Sequence, residues 1–350
     1  MAFTLSALPD ATLPFDEMID VRAPAEYAED HIPGAINLPV LSDDERARVG
    51  TIYVQEDRFL ARKVGAALVA RNAAAHIEGP LADRDGGWRP LVYCWRGGQR
   101  SGSFASILSQ IGWRVEVIDG GYRKYRRLVS AMLYEETLAL CPVLIEGGTG
   151  TGKTQLLAHL DRAGAQVVDL EALANHRGSN FGGWSDAQPS QKMFESRLAQ
   201  ALRRIDPAKP VFFEAESNAI GDVRVPPSLW KAMASAPVIR MDVPLAARAR
   251  FLTTTYPDLT ADPDLLARRI DALRPYHSRD RIAGWHELAR SGAFAELAEG
   301  LIGEHYDPRY RRPARAERQG LGVVTLPGLE HADLARAAEQ VLALAGTRLE

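Results

Sequence analysis

In the stretch LVYCWRGGQRSGS, residues 91–103, Cys94, Arg96, Gly97, Gly98, Arg100 and Ser101 crowd into eight positions at the end of an apolar run. The chemistry open to such a set is nucleophilic. Backbone N–H groups of a glycine-rich loop that runs into a helix converge on one point and make an anion site. That field, reinforced by Arg96 and Arg100, lowers the pKa of a cysteine at the loop's start. A thiolate beside a cradle of Arg96, Gly97, Gly98 and Ser101 suits attack on sulfur, selenium or phosphorus, with Cys94 and Arg100 as the catalytic residues. A cysteine alone at a strand end would more simply be small, buried and inert; the company of Cys94 favours the reactive reading.

A second stretch, VLIEGGTGTGKTQLLAHL, carries Gly147, Gly148, Gly150, Gly152, Lys153 and Thr154 in the order strand, glycine loop, helix. This is the P-loop pattern: amides close around phosphates, Lys153 reaches their terminal oxygens, and Thr154 can ligate Mg²⁺. Which phosphates enter is left open. A diphosphate ester fits the cradle as well as ATP or GTP does.

Weaker signals follow. PVFFEAES ends an apolar run with Glu214 and Glu216, which either serve a metal's outer shell or a water, or are two solvated acids at a turn. DLEALANHRGSNFGGW sets Asn175, His176, Arg177, Ser179 and Asn180 among glycines, the make-up of a substrate loop or of a self-solvating surface. Three runs, GGYRKYRRLV, LRPYHSRDR and HYDPRYRRPARAER, mix arginine with Tyr or His and could meet RNA through phosphate contacts and base stacking. Each alone is more simply a helix surface. His31, His277 and His305 lack metal-ligand spacing and read as structural.

The frame that must position these groups is bounded by composition. A chain of 350 residues, 46% hydrophobic and 25% charged, predicts two soluble domains. A net charge of −3 argues against nonspecific coating of nucleic acid without excluding local patches. Two cysteines, Cys94 and Cys141, give neither a disulfide framework nor a metal set, and with no membrane-length apolar run or leader they predict a cytoplasmic protein.

Strands are expected at EMIDVR, LVYC and RVEVID, with helices at APAEYAEDH, at SDDERARVG ending on Gly50, at QEDRFLARKVGAALVARNAAAH and at SGSFASILSQIG. Ser42 and Glu45 form a capping box. A second strand series is expected at CPVLIEGG, QVVDLE, PVFFEAE and PVIRMDV. The fold class is α/β: one domain over 1–125, a connecting helix over 126–140, and a P-loop NTPase-like domain with a parallel sheet and a helical C-terminal part over 141–350.

DVRAPAEYAEDHIPGAINLP, YCWRGGQRS and VIDGGY, in that order, resemble a rhodanese-like domain. Five residues separate Cys94 from Arg100, where sulfur-carrying rhodaneses usually have four, so the resemblance implies a wider cradle. With GGTGTGKT, ANHRGSNFG, FFEAES and HYDPRY added, nearly the whole chain resembles the bacterial tRNA 2-selenouridine synthase family. That resemblance implies a tRNA substrate for lysine, glutamate or glutamine bearing wobble 2-thiouridine. It implies S-geranylation from geranyl diphosphate, selenation from selenophosphate, Cys94 as the essential loop cysteine, and contact with the selenophosphate-producing enzyme. The competing expectation is a P-loop kinase or NTPase whose first domain is a sulfur carrier.

Overall fold

Short apolar runs bounded by Pro and Gly become the strands of two parallel sheets. The computed structural model describes residues 2–10, 12–177, 187–215, 217–310 and 318–346. They form two units, Met1–Thr137 with Pro189–Arg203, and Leu138–Gln188 with Arg204–Glu350.

The first unit contains β1 (Ala2–Phe3), β2 (Glu17–Asp20), α1 (Pro24–Glu29), β3 (Ile36–Asn37), α2 (Asp43–Thr51), α3 (Arg58–Glu78), β4 (Pro90–Tyr93), α4 (Gln99–Ile111), β5 (Glu116–Ile118) and α5 (Gly121–Ser130). Its sheet runs β1-β5-β4-β2-β3, with every pair parallel. All four residues of β4 are buried, as a central parallel strand covered on both faces requires. Ser42 does cap α2 in a reciprocal box with Glu45. Gly50 does not end that helix: it continues to Thr51 and into a π-helical turn over Ile52–Glu56, because Asp57 caps the next helix immediately afterwards.

The division departs from the expected one at two places. The helix expected over 126–140 is the second half of α5 plus a π-turn at Ala131–Glu135, all within the first unit. A later segment, 189–203, also belongs to the first unit. Its helix carries Glu195, which is 2% exposed and accepts hydrogen bonds from Arg126 and, at 2.5 Å, from the Tyr134 hydroxyl. Gln191, four residues away on the same helix, also donates to it at 2.8 Å, but Arg126 and Tyr134 lie 69 and 61 residues distant, so no local pattern announces those two pairings.

The second unit begins with β6 (Cys141–Glu146), α6 (Lys153–Arg162), β7 (Gln166–Val167) and α7 (Leu170–Leu173). The chain then gives α8 (Gln191–Leu202) to the first unit and returns as β8 (Pro210–Glu214), the hairpin β9 (Ala219–Ile220) and β10 (Val223–Arg224), α9 (Pro227–Ala234) and β11 (Val238–Asp242). Helices α10 (Leu245–Thr255), α11 (Pro257–Ala261), α12 (Pro263–Asp271), α13 (Arg279–Arg290), α14 (Phe294–Leu301) and α15 (Asp307–Tyr310) come next, followed by β12 (Gly320–Thr325) and α16 (His331–Gly346). The parallel sheet runs β12-β11-β6-β8-β7. QVVDLE is a strand only at Gln166–Val167, because the Asp169 side chain accepts from the Ala172 amide and starts a helix instead. Among the described residues no helix is long and apolar enough to cross a membrane.

Two buried polar clusters fix these frames. In the first unit Arg22, 1% exposed, pairs with Asp20 at 2.6 Å and donates to the Asp30 carbonyl at 2.6 Å. In the second, His305 touches His277 at 2.8 Å and Arg309 at 2.7 Å. Burial first, then the Arg309 charge and His277, push the His305 pKa down to about 4.

Asp20→Ala leaves the Arg22 guanidinium buried without its carboxylate, and should cost about 3–5 kcal/mol in denaturant unfolding. His305 is neutral in the fold, whereas the unfolded chain protonates it below its ordinary value of 6.5. Its contribution is therefore complete above pH 6.5 and is lost as pH falls towards 4. Thermal unfolding followed across that interval should show a shallower decline in His305→Gln than in the parent.

Candidate functional site

In the first unit the chain leaves β2 for β3 on one side and leaves β4 for β5 on the other, so the crevice at the strands' C-terminal ends opens between β2 and β4. Cys94 follows the last residue of β4 there. Its thiol is only 4% exposed. The Ser101 hydroxyl donates to the sulfur at 3.1 Å, and the amides of Ser101 and Arg96 also point at it. Burial pushes the thiol up, but these three donors and the Arg100 charge outweigh it, and the net shift is downwards. The loop's donors thus converge on the sulfur itself.

Glycine is demanded where α5 meets this loop. A Cβ on Gly121, at φ +56°, would lie 2.2 Å from the Cys94 carbonyl oxygen and 2.5 Å from the Gly97 nitrogen. In return, the Tyr122 amide donates to the Cys94 carbonyl at 2.9 Å and the Arg123 amide to that of Trp95 at 3.1 Å. Gly97 is equally confined, 2.4 Å from the Ile118 oxygen if given a Cβ. Gly98 is the N-cap of α4.

The two arginines differ from expectation. Arg100 is committed to Glu26, at 2.6 and 3.3 Å, so it acts on Cys94 through its charge and not as an open anion ligand. The half-buried partner arrives from α1, and the local sequence gives no sign of it. Arg96 contributes its amide to the sulfur, while its side chain lines a separate cavity with α5 residues.

The second unit repeats the placement. β6 lies between β11 and β8; the chain leaves β6 for β7 at one edge and leaves β8 for β11 on the other side, which puts the glycine loop at the crevice. Gly150, Gly152, Lys153 and Thr154 line a cavity of about 220 Å³ with Asp169, Glu171, His176 and Arg177. Lys153 donates to the Gly147 carbonyl at 3.1 Å. A Cβ at Gly148 would stand 2.6 Å from Arg248. That arginine, 7% exposed, donates to the Thr149 carbonyl at 2.7 and 2.9 Å and pairs with Asp307 at 2.7 Å, which clamps the loop from behind.

Thr154 donates to Glu214 at 2.7 Å and to Glu171 at 3.4 Å. Hard oxygen donors of this kind suit Mg²⁺, which takes one or two carboxylates and completes its shell with water and phosphate oxygens. Among the described residues no group of three His, Cys, Asp or Glu side chains forms a protein-only metal site. Burial raises the Asp169 pKa against the opposing amides of Ala172 and Glu171.

Of the expected substrate loop, His176 and Arg177 reach the cavity, and Arg177 lies 4.4 Å over the Tyr256 ring. Asn175 does not line it; its amide donates to the Ala187 carbonyl at 3.2 Å. Ser179, Asn180 and Glu216 lie outside the described residues. Sequence reading missed Asp169, Glu171, Arg248, Tyr256 and the role of Asp307. Asp169 and Glu171 carried a signal at the head of DLEALANHRGSNFGGW, and Asp307 as part of HYDPRY; Arg248 and Tyr256 carried none.

A second chamber, of about 80 Å³, shares Thr149, Leu252 and Tyr256 with the phosphate cavity. Its other walls include Leu297, Ala298, Leu301, Ile302 and Tyr306. A polar cradle of amides and an apolar chamber therefore have a common wall.

The residues 141–272 match the family model of the tRNA 2-selenouridine synthase AAA domain, and residues 5–128 that of the rhodanese-like domain. A protein named tRNA 2-selenouridine synthase from Pseudomonas fluorescens is 35% identical, with 84% of this chain and 87% of that one covered. One of the same name from Hahella chejuensis is 36% identical over 84% of this chain and 80% of the relative. The Nitrosomonas europaea protein is 38% identical, and the match covers 66% of this chain and 61% of that relative, so less than two thirds of its length is spanned.

Ser101→Ala removes one of the donors that hold the Cys94 thiolate. The midpoint of its alkylation rate by iodoacetamide should move to higher pH, with slower labelling at neutral pH. An unchanged pH profile would show that the hydroxyl does not set the thiol's acidity.

Proposed function

This chain belongs to the tRNA 2-selenouridine synthase family, and we propose from that premise that it exchanges sulfur for selenium in wobble 2-thiouridine of a tRNA. The reaction has two stages, and it takes place in the cytoplasm on tRNAs for lysine, glutamate and glutamine. In the first, the thiocarbonyl sulfur attacks C1 of geranyl diphosphate, the C–O bond breaks, and pyrophosphate leaves with the bonding pair. In the second, the P–Se bond of selenophosphate breaks and its phosphoryl group ends on water as phosphate, the selenium attacks C2, and the geranylthio group departs with a proton as the thiol.

The observation that carries this reading is the wall shared by the two chambers of the second unit. A nucleotide offers a polar sugar and base to whatever adjoins the phosphates, whereas Leu252, Leu297, Ala298, Leu301 and Ile302 offer only hydrocarbon. A diphosphate joined to a short apolar tail matches both sides. Lys153 and the loop amides would stabilise the departing pyrophosphate. Mg²⁺, held by Thr154 with Glu214 and Glu171, would supply further neutralisation of phosphate charge. Arg248 and Asp307 hold the loop in place without touching substrate.

The first unit would serve the second stage. A thiol whose sulfur already receives three donors is poised as a thiolate, the form able to attack selenophosphate at phosphorus, so that the P–Se bond breaks, selenide is released for C2, and water then returns Cys94 to the thiol with loss of phosphate. Delivery by the selenophosphate-producing enzyme fits the instability expected of such a donor in water.

Purified protein incubated with thiolated tRNA, geranyl diphosphate and selenophosphate should yield selenated nucleoside by mass spectrometry. Lys153→Ala should lose geranylation; Cys94→Ala should retain geranylation and lose selenation. Selenation intact in Cys94→Ala would remove the cysteine from the reaction. Ala298→Phe narrows the apolar chamber, and should reduce use of the ten-carbon geranyl donor roughly tenfold relative to a five-carbon dimethylallyl donor, about what one or two lost methylene contacts cost.

A further inference from the structure

The run GGYRKYRRLV mixes candidate phosphate ligands with rings able to stack, and α5 separates the two. Tyr122, Tyr125 and Val129 are buried on one face. Arg126 turns to Asp30 and Glu195. Arg123, Lys124 and Arg127 line a cavity of about 470 Å³ with Arg96, Thr4, Asp119 and Gly120. Four cations face one carboxylate, and none of the four has an ion-pair partner among the described residues.

This cavity adjoins the nucleophile through the backbone. Arg96 gives its amide to the Cys94 sulfur and its side chain to the cavity, and Arg123 is bonded through its amide to Trp95, the residue after the cysteine. Trp95 itself is 36% exposed, with the Tyr122 ring 5.2 Å behind it. An indole with one face backed by another ring and the other in solvent is a platform for an unpaired base. In a chain of net charge −3, such a cluster is a local feature and not a consequence of composition.

We propose that Arg96, Arg123, Lys124 and Arg127 bind consecutive phosphodiesters of single-stranded RNA and that Trp95 stacks on a base beside Cys94. This rests on the tRNA reading above and adds where the strand lies on the first unit. The occupant is the RNA backbone: cations spread over a turn of helix and a separate loop suit successive phosphates, and a lone phosphate has no use for the indole.

The test is the salt dependence of tRNA binding by the full chain. Wild type should bind with log Kd rising linearly in log salt. The triple variant Arg123→Gln, Lys124→Gln, Arg127→Gln should bind roughly tenfold or more weakly at low salt, with the slope reduced by about one per phosphate contact removed. Trp95→Ala should weaken binding roughly tenfold while leaving the slope unchanged. Lys63→Gln, an exposed cation on α3, should match wild type, and iodoacetamide labelling of Cys94 should confirm that each variant keeps its loop.

A triple variant with wild-type affinity and slope would overturn the proposal. Failure of the wild type to bind tRNA at all would sink the functional reading itself, and the RNA surface with it.

Discussion

The first peptide N–H groups of a helix have no acceptor within that helix, and a strand that turns directly into a helix delivers them to one point. Both units place such a turn after an interior strand of a parallel sheet, β4 in one and β6 in the other, where neighbouring connections depart in opposite directions and leave a crevice. What fills the crevice decides the chemistry. In the first unit a cysteine sulfur occupies the focus, and amides of Arg96 and Ser101 are spent on it. In the second the focus is lined by glycine and Lys153 faces the Gly147 carbonyl, so the donors are presented to a ligand.

Holding these turns in register is the work of buried charges. Arg22 pairs with Asp20 and lies 4.0 Å over the Tyr122 ring; the Tyr122 hydroxyl donates to Asp30, and its amide to the Cys94 carbonyl. A chain of contacts thus leads from β2 to the reactive loop. Arg248 does the same service for the phosphate loop, tied to Asp307 on one side and to Thr149 on the other. Buried pairs of this type are a poor source of net stability, because desolvation offsets their attraction. Their value here is geometric: each arginine has one arrangement that satisfies it, and that arrangement fixes a loop.

Polar and apolar surfaces are sorted with equal economy in the second unit. The amides and Lys153 face one side of the Thr149–Leu252–Tyr256 wall, and side chains of α10 and α14 face the other. The helices between β11 and β12 enclose their own core of Leu266, Ile270, Trp285, Leu297 and Leu301, and the apolar chamber is a gap at its edge. On α5 the sorting is by helix face, with aromatic rings inward and three of its cations outward.

The sequence by itself determined the chemistry-bearing loops. Cys94 through Ser101 and Gly147 through Thr154 are contiguous, and the strand before and helix after each are local patterns, so types and spacing sufficed to place them at strand ends. The capping box at Ser42 and Glu45 was legible for the same reason. Tertiary structure alone decided the groups that answer those loops. Glu26 claims Arg100 across a separation of 74 residues, Asp307 reaches Arg248 across 59, and Glu195 crosses back into the first unit to meet Arg126. Whether an arginine is a ligand or half of an ion pair depends on which carboxylate the packing brings within 3 Å, and that distance is set by the sheets and helices as bodies, not by neighbours in the chain.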